Sequence, residues 1–101
     1  MSTARDPREA LPTILHSPVR LAILGALRHV QAADFGDLQR GLEITTAELS
    51  RQLGVLHREE LIEIRKVQRH RHTITRARLS EQGRSRFEDY LAELHRVAFG
   101  P

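Results

Sequence analysis

The chain has 101 residues, two-fifths of them hydrophobic, with 16 Lys and Arg against 13 Asp and Glu and no cysteine. That length suits a single domain with a modest core; the missing cysteine excludes disulfides, thiolate metal sites and cysteine nucleophiles, and fits a reducing compartment; and no apolar run approaches the roughly 18 residues of a membrane span. The net charge is only +3, but it is unevenly placed: Leu61 to Leu79 holds six Lys and Arg and one acid, Glu63, for +5, which leaves −2 for the rest.

Met1 to Pro7 is polar, lacks a signal-peptide core and reads as a mobile tail. Arg8 to His16 can form a short helix with Leu11, Ile14 and Leu15 on one side, limited by Pro12. Ser17-Pro18 is a cap followed by proline at the first helical position. Val19, Ala22, Ile23, Ala26, Leu27 and Val30 then recur at helical spacing, predicting an amphipathic helix from Pro18 to about His29. Ala32 to Asp34 is a connector or a brief strand. Phe35 to Arg40 predicts a short helix, with Asp34 as cap, Leu38 inward and Gly41 placed to end it. Thr45-Thr46-Ala47-Glu48 has the form of a capping box, a Thr cap with Glu three residues on. The helix that it opens runs to about Glu59 or Glu60, with Leu49, Leu53 and Leu56 as its buried stripe.

From Leu61 the period changes from 3.6 to 2. Ile62 and Ile64 alternate with Glu63 and Arg65 as in a half-buried strand. Gln68 to His72 is polar, and Thr73 to Leu79 predicts a second strand that pairs with the first as a hairpin. Ser80 caps a last helix, about 81–98, whose apolar stripe is Phe87, Tyr90, Leu91, Leu94, Val97 and Ala98. The fold class is mainly α with a small β-hairpin, and the hairpin carries the positive charge. A basic patch of this kind suits a polyanion such as DNA; a solvated surface hairpin is the plainer reading of the same residues.

Three stretches, His16 to Leu24, then Ala33 to Leu38 with Leu49 to Leu56, then Leu61 to Lys66 with Arg78 to Arg84, resemble in order and spacing the small winged-helix regulators related to the MarR and ArsR families. The likeness covers about residues 14–98. It implies a winged helix-turn-helix fold, a role in transcription as a repressor, and a long C-terminal helix that dimerises. The sequence departs from those relatives at the tip of the hairpin, where they carry glycine and often proline; here Val67 to Thr73 has neither.

In a helix-turn-helix the second helix of the motif enters the major groove. With Leu49, Leu53 and Leu56 inward, Ala47, Arg51, Gly54 and Arg58 point outward, flanked by Ser50. Arg51 can contact guanine O6 and N7, or pair with Glu48 or Glu59 on the surface. Thr46 and the free amides at the helix start suit a phosphate, and Arg58 lies where the DNA backbone would pass. On the wing, Arg69 and Arg71 flank His70 and suit a minor groove; Arg20 can meet a phosphate or an acid. Leu11, Ile14 and Leu15 with Phe87, Tyr90, Leu91, Leu94 and Val97 are the expected dimer contacts.

No aromatic residue interleaves the basic stretch, which argues against single-strand or RNA-recognition surfaces. His70 and His72 are a pair without a third ligand, so no metal is expected. No phosphate loop, nucleophile elbow or spaced carboxylate pair is present, so neither an enzyme nor a cofactor is expected. The expectation is a cytoplasmic, nucleoid-associated homodimer that binds double-stranded DNA, without membrane contact. Two other readings stay open: a protein-interaction module docking an acidic partner, and a sensor with a small-molecule effector at the dimer interface.

Overall fold

The computed structural model describes Leu15 and residues 17–101. In chain order the elements are α1 (Pro18–Arg28), β1 (Ala33–Asp34), α2 (Phe35–Leu42), α3 (Thr46–Arg58), β2 (Ile62–Arg69), β3 (His72–Leu79) and α4 (Glu81–Phe99). The strands form one antiparallel sheet in the order β1-β3-β2. The helices pack on the base of this sheet, and leucines from every helix but α4 meet Ile62, Ala77, Leu79, Phe87 and Tyr90 in one core. The expected winged-helix architecture is present, long final helix included.

Three of the helix starts are capped as the sequence predicts. Ser17 accepts from the Arg20 amide at 3.2 Å, Thr45 from Glu48 at 3.0 Å and Ser80 from Gly83 at 2.8 Å, each satisfying an amide that has no partner inside its helix. α2 differs. Asp34 stands at its cap position but makes no capping bond. Its carboxylate turns to Arg76 instead: Asp34 Oδ1 and Arg76 Nε lie 2.8 Å apart, both shielded from solvent, in an ionic contact whose angles fall outside hydrogen-bond geometry.

The buried face of α1 is rotated from the expected one. Ile23, Leu24 and Leu27 are fully buried, Ala22 and Ala26 are exposed, and Val30 is 42% exposed. Turning Leu24 inward removes far more apolar surface from water than turning in an alanine. Gly41 does not end α2. The helix continues to Leu42, and Glu43 takes the left-handed step itself at φ 53°. α3 ends in a Schellman turn, in which the Leu61 amide reaches Leu56 O at 2.9 Å and the Glu60 amide reaches His57 O at 3.0 Å. Glu60 occupies the left-handed position that glycine usually fills, at φ 60°.

The hairpin is longer and tighter than the sequence suggests. Pairing runs without interruption from Ile62↔Leu79 to Arg69↔His72, so residues 68, 69 and 72 of the polar stretch Gln68 to His72 lie in the strands. Only His70 and Arg71 turn the chain, with His70 at φ 53°. Positive φ at the first central position is what a two-residue hairpin turn demands. Along each strand the faces alternate. Ile62, Ile64 and Lys66 share the helix side, while Glu63, Arg65 and Val67 share the outer side with Arg76 and Arg78.

α4 starts against the end of α3. Ser80 Oγ donates to Glu60 O at 2.7 Å, and the Ser80 amide donates to Leu61 O at 3.1 Å. Gly83 lies so close to that carbonyl that a Cβ there would sit 1.8 Å from Leu61 O. Phe87 and Tyr90, expected at a dimer interface, are buried in the chain's own core at 4% exposure, with near-parallel rings 6.4 Å apart. Leu15 is buried there too. Within one chain, 4% or less of each of these three residues is left accessible. Leu11 and Ile14 lie outside the described residues. Past Tyr90 the helix leaves the core: Leu91 and Val97 are half-buried, Leu94 is 36% exposed and Phe99 is 76% exposed. Arg28 clamps α1 to α4 through both oxygens of Glu88, at 2.6 and 2.9 Å.

Candidate nucleic-acid interface

The cap at Thr45 and the leucine stripe fix how α3 presents its other side. Leu49, Leu53 and Leu56 lock the helix to the core, so Thr46, Ala47, Ser50, Arg51 and Arg58 are all exposed along the opposite side. Gly54 is half-buried, because the Arg58 guanidinium lies over it: a Cβ at Gly54 would meet Arg58 Nη1 at 3.4 Å. The helix thus offers a small-residue surface with two arginines, Arg51 at its middle and Arg58 at its C-terminal end.

Arg51 is 64% exposed in its side chain and pairs with Glu48, its Nη2 donating to both carboxylate oxygens at 2.9 Å. The surface pairing weighed for Arg51 from sequence is therefore made, with Glu48 rather than Glu59. Glu48 also accepts from Gln52 Nε2 at 2.6 Å. Gln52 is 3% exposed, and its Oε1 accepts from Arg20 Nη1 at 3.1 Å. Arg20 is thus tied to an amide of α3. Gln52 and Glu48 bear directly on this surface; sequence reasoning named Glu48 only as part of the cap and a partner for Arg51, and passed over Gln52. The signal was available: position 52 falls inside the arc set by Leu49, Leu53 and Leu56, where a polar residue requires partners. The Gln52 and Arg51 hydrogen bonds hold the Glu48 carboxyl below its usual range.

The sheet sorts the six cations of the basic stretch. At its base Arg78 pairs with Glu63 across the strands at 2.6 Å, and Arg76 pairs with Asp34 of β1. Arg65, Lys66, Arg69 and Arg71 are exposed and form no ion pair among the described residues. Positive charge is neutralised next to the core and left unmatched towards the tip. Arg69 ends β2, Arg71 lies in the turn itself, and Lys66 lies on the helix side of the wing. Thr73 donates to Gln68 Oε1 at 3.0 Å and Gln68 Nε2 donates to His70 O at 3.4 Å, bracing the turn that lacks a glycine.

The outer face of the sheet holds a shallow groove of about 430 Å³, walled by Gln31, Glu63, Arg65, Arg76 and Arg78. Two of its three arginines are already paired with acids. Among the described residues no group of three or more His, Asp or Glu stands close enough to hold a metal, and no helix is long and apolar enough to cross a membrane.

Residues 19–98 match the family model of the winged helix DNA-binding domain. A transcriptional regulator homologue from Pyrococcus horikoshii is similar in structure with a TM-score of 0.82 and 31% sequence identity over 86% of each chain. The transcriptional repressor BigR from Xylella fastidiosa is 29% identical over 85% of this chain and 76% of its own, with a TM-score of 0.60. HlyU from Vibrio cholerae is 26% identical over 83% of both chains, with a TM-score of 0.61. No curated protein matches in sequence. With its capped helix, paired hairpin and family match over 19–98, the chain belongs to the winged helix DNA-binding domain family of transcriptional regulators.

Proposed function

We infer that this chain is a sequence-specific regulator of double-stranded DNA that acts as a homodimeric repressor and has no catalytic role. One observation supports the reading: Arg65, Lys66, Arg69 and Arg71, exposed and without an ion pair among the described residues, belong to a hairpin whose strand β2 packs against α3, and the outer face of α3 is small and exposed. Thr46, Ala47, Ser50, Arg51, Gly54 and Arg58 meet the major groove and its edges, and Arg69 and Arg71 meet the minor groove or the backbone. Phosphate contacts set register, and Arg51 supplies base discrimination.

The exposed second half of α4 supports dimerisation. Leu94 and Phe99 are large apolar side chains in solvent, with half-buried Leu91 and Val97 beside them. A twofold pairing presents two recognition helices about 34 Å apart, one DNA turn. The repressor role rests on the likeness to BigR, a transcriptional repressor. Such a protein works on the nucleoid, in the cytoplasm.

The test is fluorescence anisotropy on a labelled duplex at several salt concentrations. Binding is expected to fall steeply with salt. Arg69→Ala/Arg71→Ala should weaken it across all sequences and flatten the salt slope by about one for each phosphate that is no longer neutralised. Arg51→Ala should relax sequence preference by about 1–3 kcal/mol. Absence of duplex binding at low salt overturns the reading and turns attention to an acidic protein partner.

A further inference from the structure

A buried amide in the recognition helix is an unexpected choice for a core position. Gln52 is 3% exposed and shares its face of α3 with three buried leucines. Packing alone would be served by another leucine, and an unpartnered amide there would cost stability. Both ends of Gln52 are used. Its oxygen accepts from Arg20 on α1 and its nitrogen donates to Glu48, so the two partners fix which way the amide points. Glu48 then grips Arg51 through both carboxylate oxygens. An unbroken polar chain runs from α1, through the core face of α3, to a guanidinium on its exposed side.

Glu48 sits oddly on a surface meant for a polyanion. A carboxylate there repels phosphate and lowers affinity for every duplex. What it provides is orientation. A loose arginine reaches phosphates as readily as bases, whereas one already held in a single geometry loses less freedom when it docks on a base edge. Arg51 and Glu48 are one helical turn apart, and so are Glu48 and Gln52, so neither pair needs the helix to distort.

We propose that Gln52 is a positioning residue for base discrimination: it fixes Glu48, and Glu48 fixes Arg51. This rests on the DNA-binding reading given above and names the device that tunes it. Gln52 is buried and offers a duplex almost no surface, so its loss should change how well sequences are told apart, and leave general affinity for duplex intact.

The probes are a duplex enriched from a randomised library by the wild-type protein and a scrambled duplex of the same composition. Gln52→Met keeps the volume and removes both hydrogen bonds. Its expected effect is a roughly tenfold fall in the affinity ratio between the two duplexes, ~1.4 kcal/mol, with binding to the scrambled duplex unchanged. Glu48→Gln should tighten binding to the scrambled duplex and lower the ratio as well; its partly exposed side chain keeps the test alive if Gln52→Met does not fold. In an Arg51→Ala background Gln52→Met should cause no further loss, because it acts through Arg51. A ratio that survives both Gln52→Met and Glu48→Gln overturns the proposal alone. So does equal weakening on both duplexes that adds to the effect of Arg51→Ala, the mark of a merely structural residue. A wild-type protein that enriches no sequence overturns the DNA reading and the proposal together.

Discussion

Gly83 carries a constraint out of proportion to its size. The first turn of α4 lies directly on the Leu61 carbonyl, which also accepts the Ser80 amide, and a Cβ would enter that backbone oxygen at 1.8 Å. A flexible side chain could move aside; a carbonyl inside a Schellman turn cannot without dragging α3 and β2 with it. Gly83→Ala is therefore expected to destabilise the fold by about 3 kcal/mol, read as a drop of more than about 10 °C in Tm by circular dichroism. Gly25 and Gly41 provide the contrast. Both are helical, neither has positive φ, and a Cβ meets nothing within 4 Å. Gly25→Ala and Gly41→Ala should each stabilise by about 0.5–1 kcal/mol in the same melt. Sequence alone placed Gly83 within the family-like stretch Arg78 to Arg84, but its reason is a contact with a residue 22 positions earlier, which no local pattern contains. Gly41 shows the reverse: a local rule for ending helices pointed to it, and tertiary packing carried α2 one residue past it.

Elements were legible where period and caps agree. Thr45 and Ser80 announced α3 and α4, and the switch to alternating Ile62 and Ile64 announced the sheet. The hairpin tip was not legible, because residues 68–72 are polar in either state and only the pairing of Arg69 with His72 decides that 68, 69 and 72 are strand and leaves 70 and 71 to the turn. The joint between α1 and α4 is likewise a matter of distant partners. The side-chain bonds from Arg28 hold the Glu88 carboxyl below its ordinary value of 4.5. A depressed acid contributes stability that is complete above the ordinary value and is lost as pH falls through the lower folded value. Thermal melts between pH 7 and pH 3 should show Glu88→Gln less stable than wild type near neutrality, with the two curves converging in acid. Both partners are about two-fifths exposed, so solvent keeps the gap small. A gap that persists unchanged at the lowest pH would mean that the clamp contributes through packing and not through charge.

At the scale of the molecule, the question is how much of the α4 stripe the chain's own core uses and how much is left for the proposed partner. Helical period marks Phe87, Tyr90, Leu91, Leu94 and Val97 as one stripe, and it cannot say how far along that stripe the chain's own core extends. The structure divides it: Phe87 and Tyr90 are inside, Leu94 and Phe99 are outside, and Leu91 and Val97 are between. That division makes dimerisation separable from folding. Leu94→Glu/Phe99→Glu changes only exposed positions and should leave the melting curve of a dilute sample almost unchanged, while Tyr90→Glu, which buries a charge in the core, should unfold the domain. Light scattering after size exclusion should then give one chain for the double variant and two for the wild type. The consequence for DNA follows from linkage of two sites. A dimer binds its second half-site at the high effective concentration set by the first, so the double variant should lose about 100-fold or more on a duplex with two half-sites and almost nothing on a duplex with one. Equal loss on both duplexes would place these side chains on the DNA-binding path itself; equal affinity on both, with a dimer still present, would show that the partner docks elsewhere on the domain.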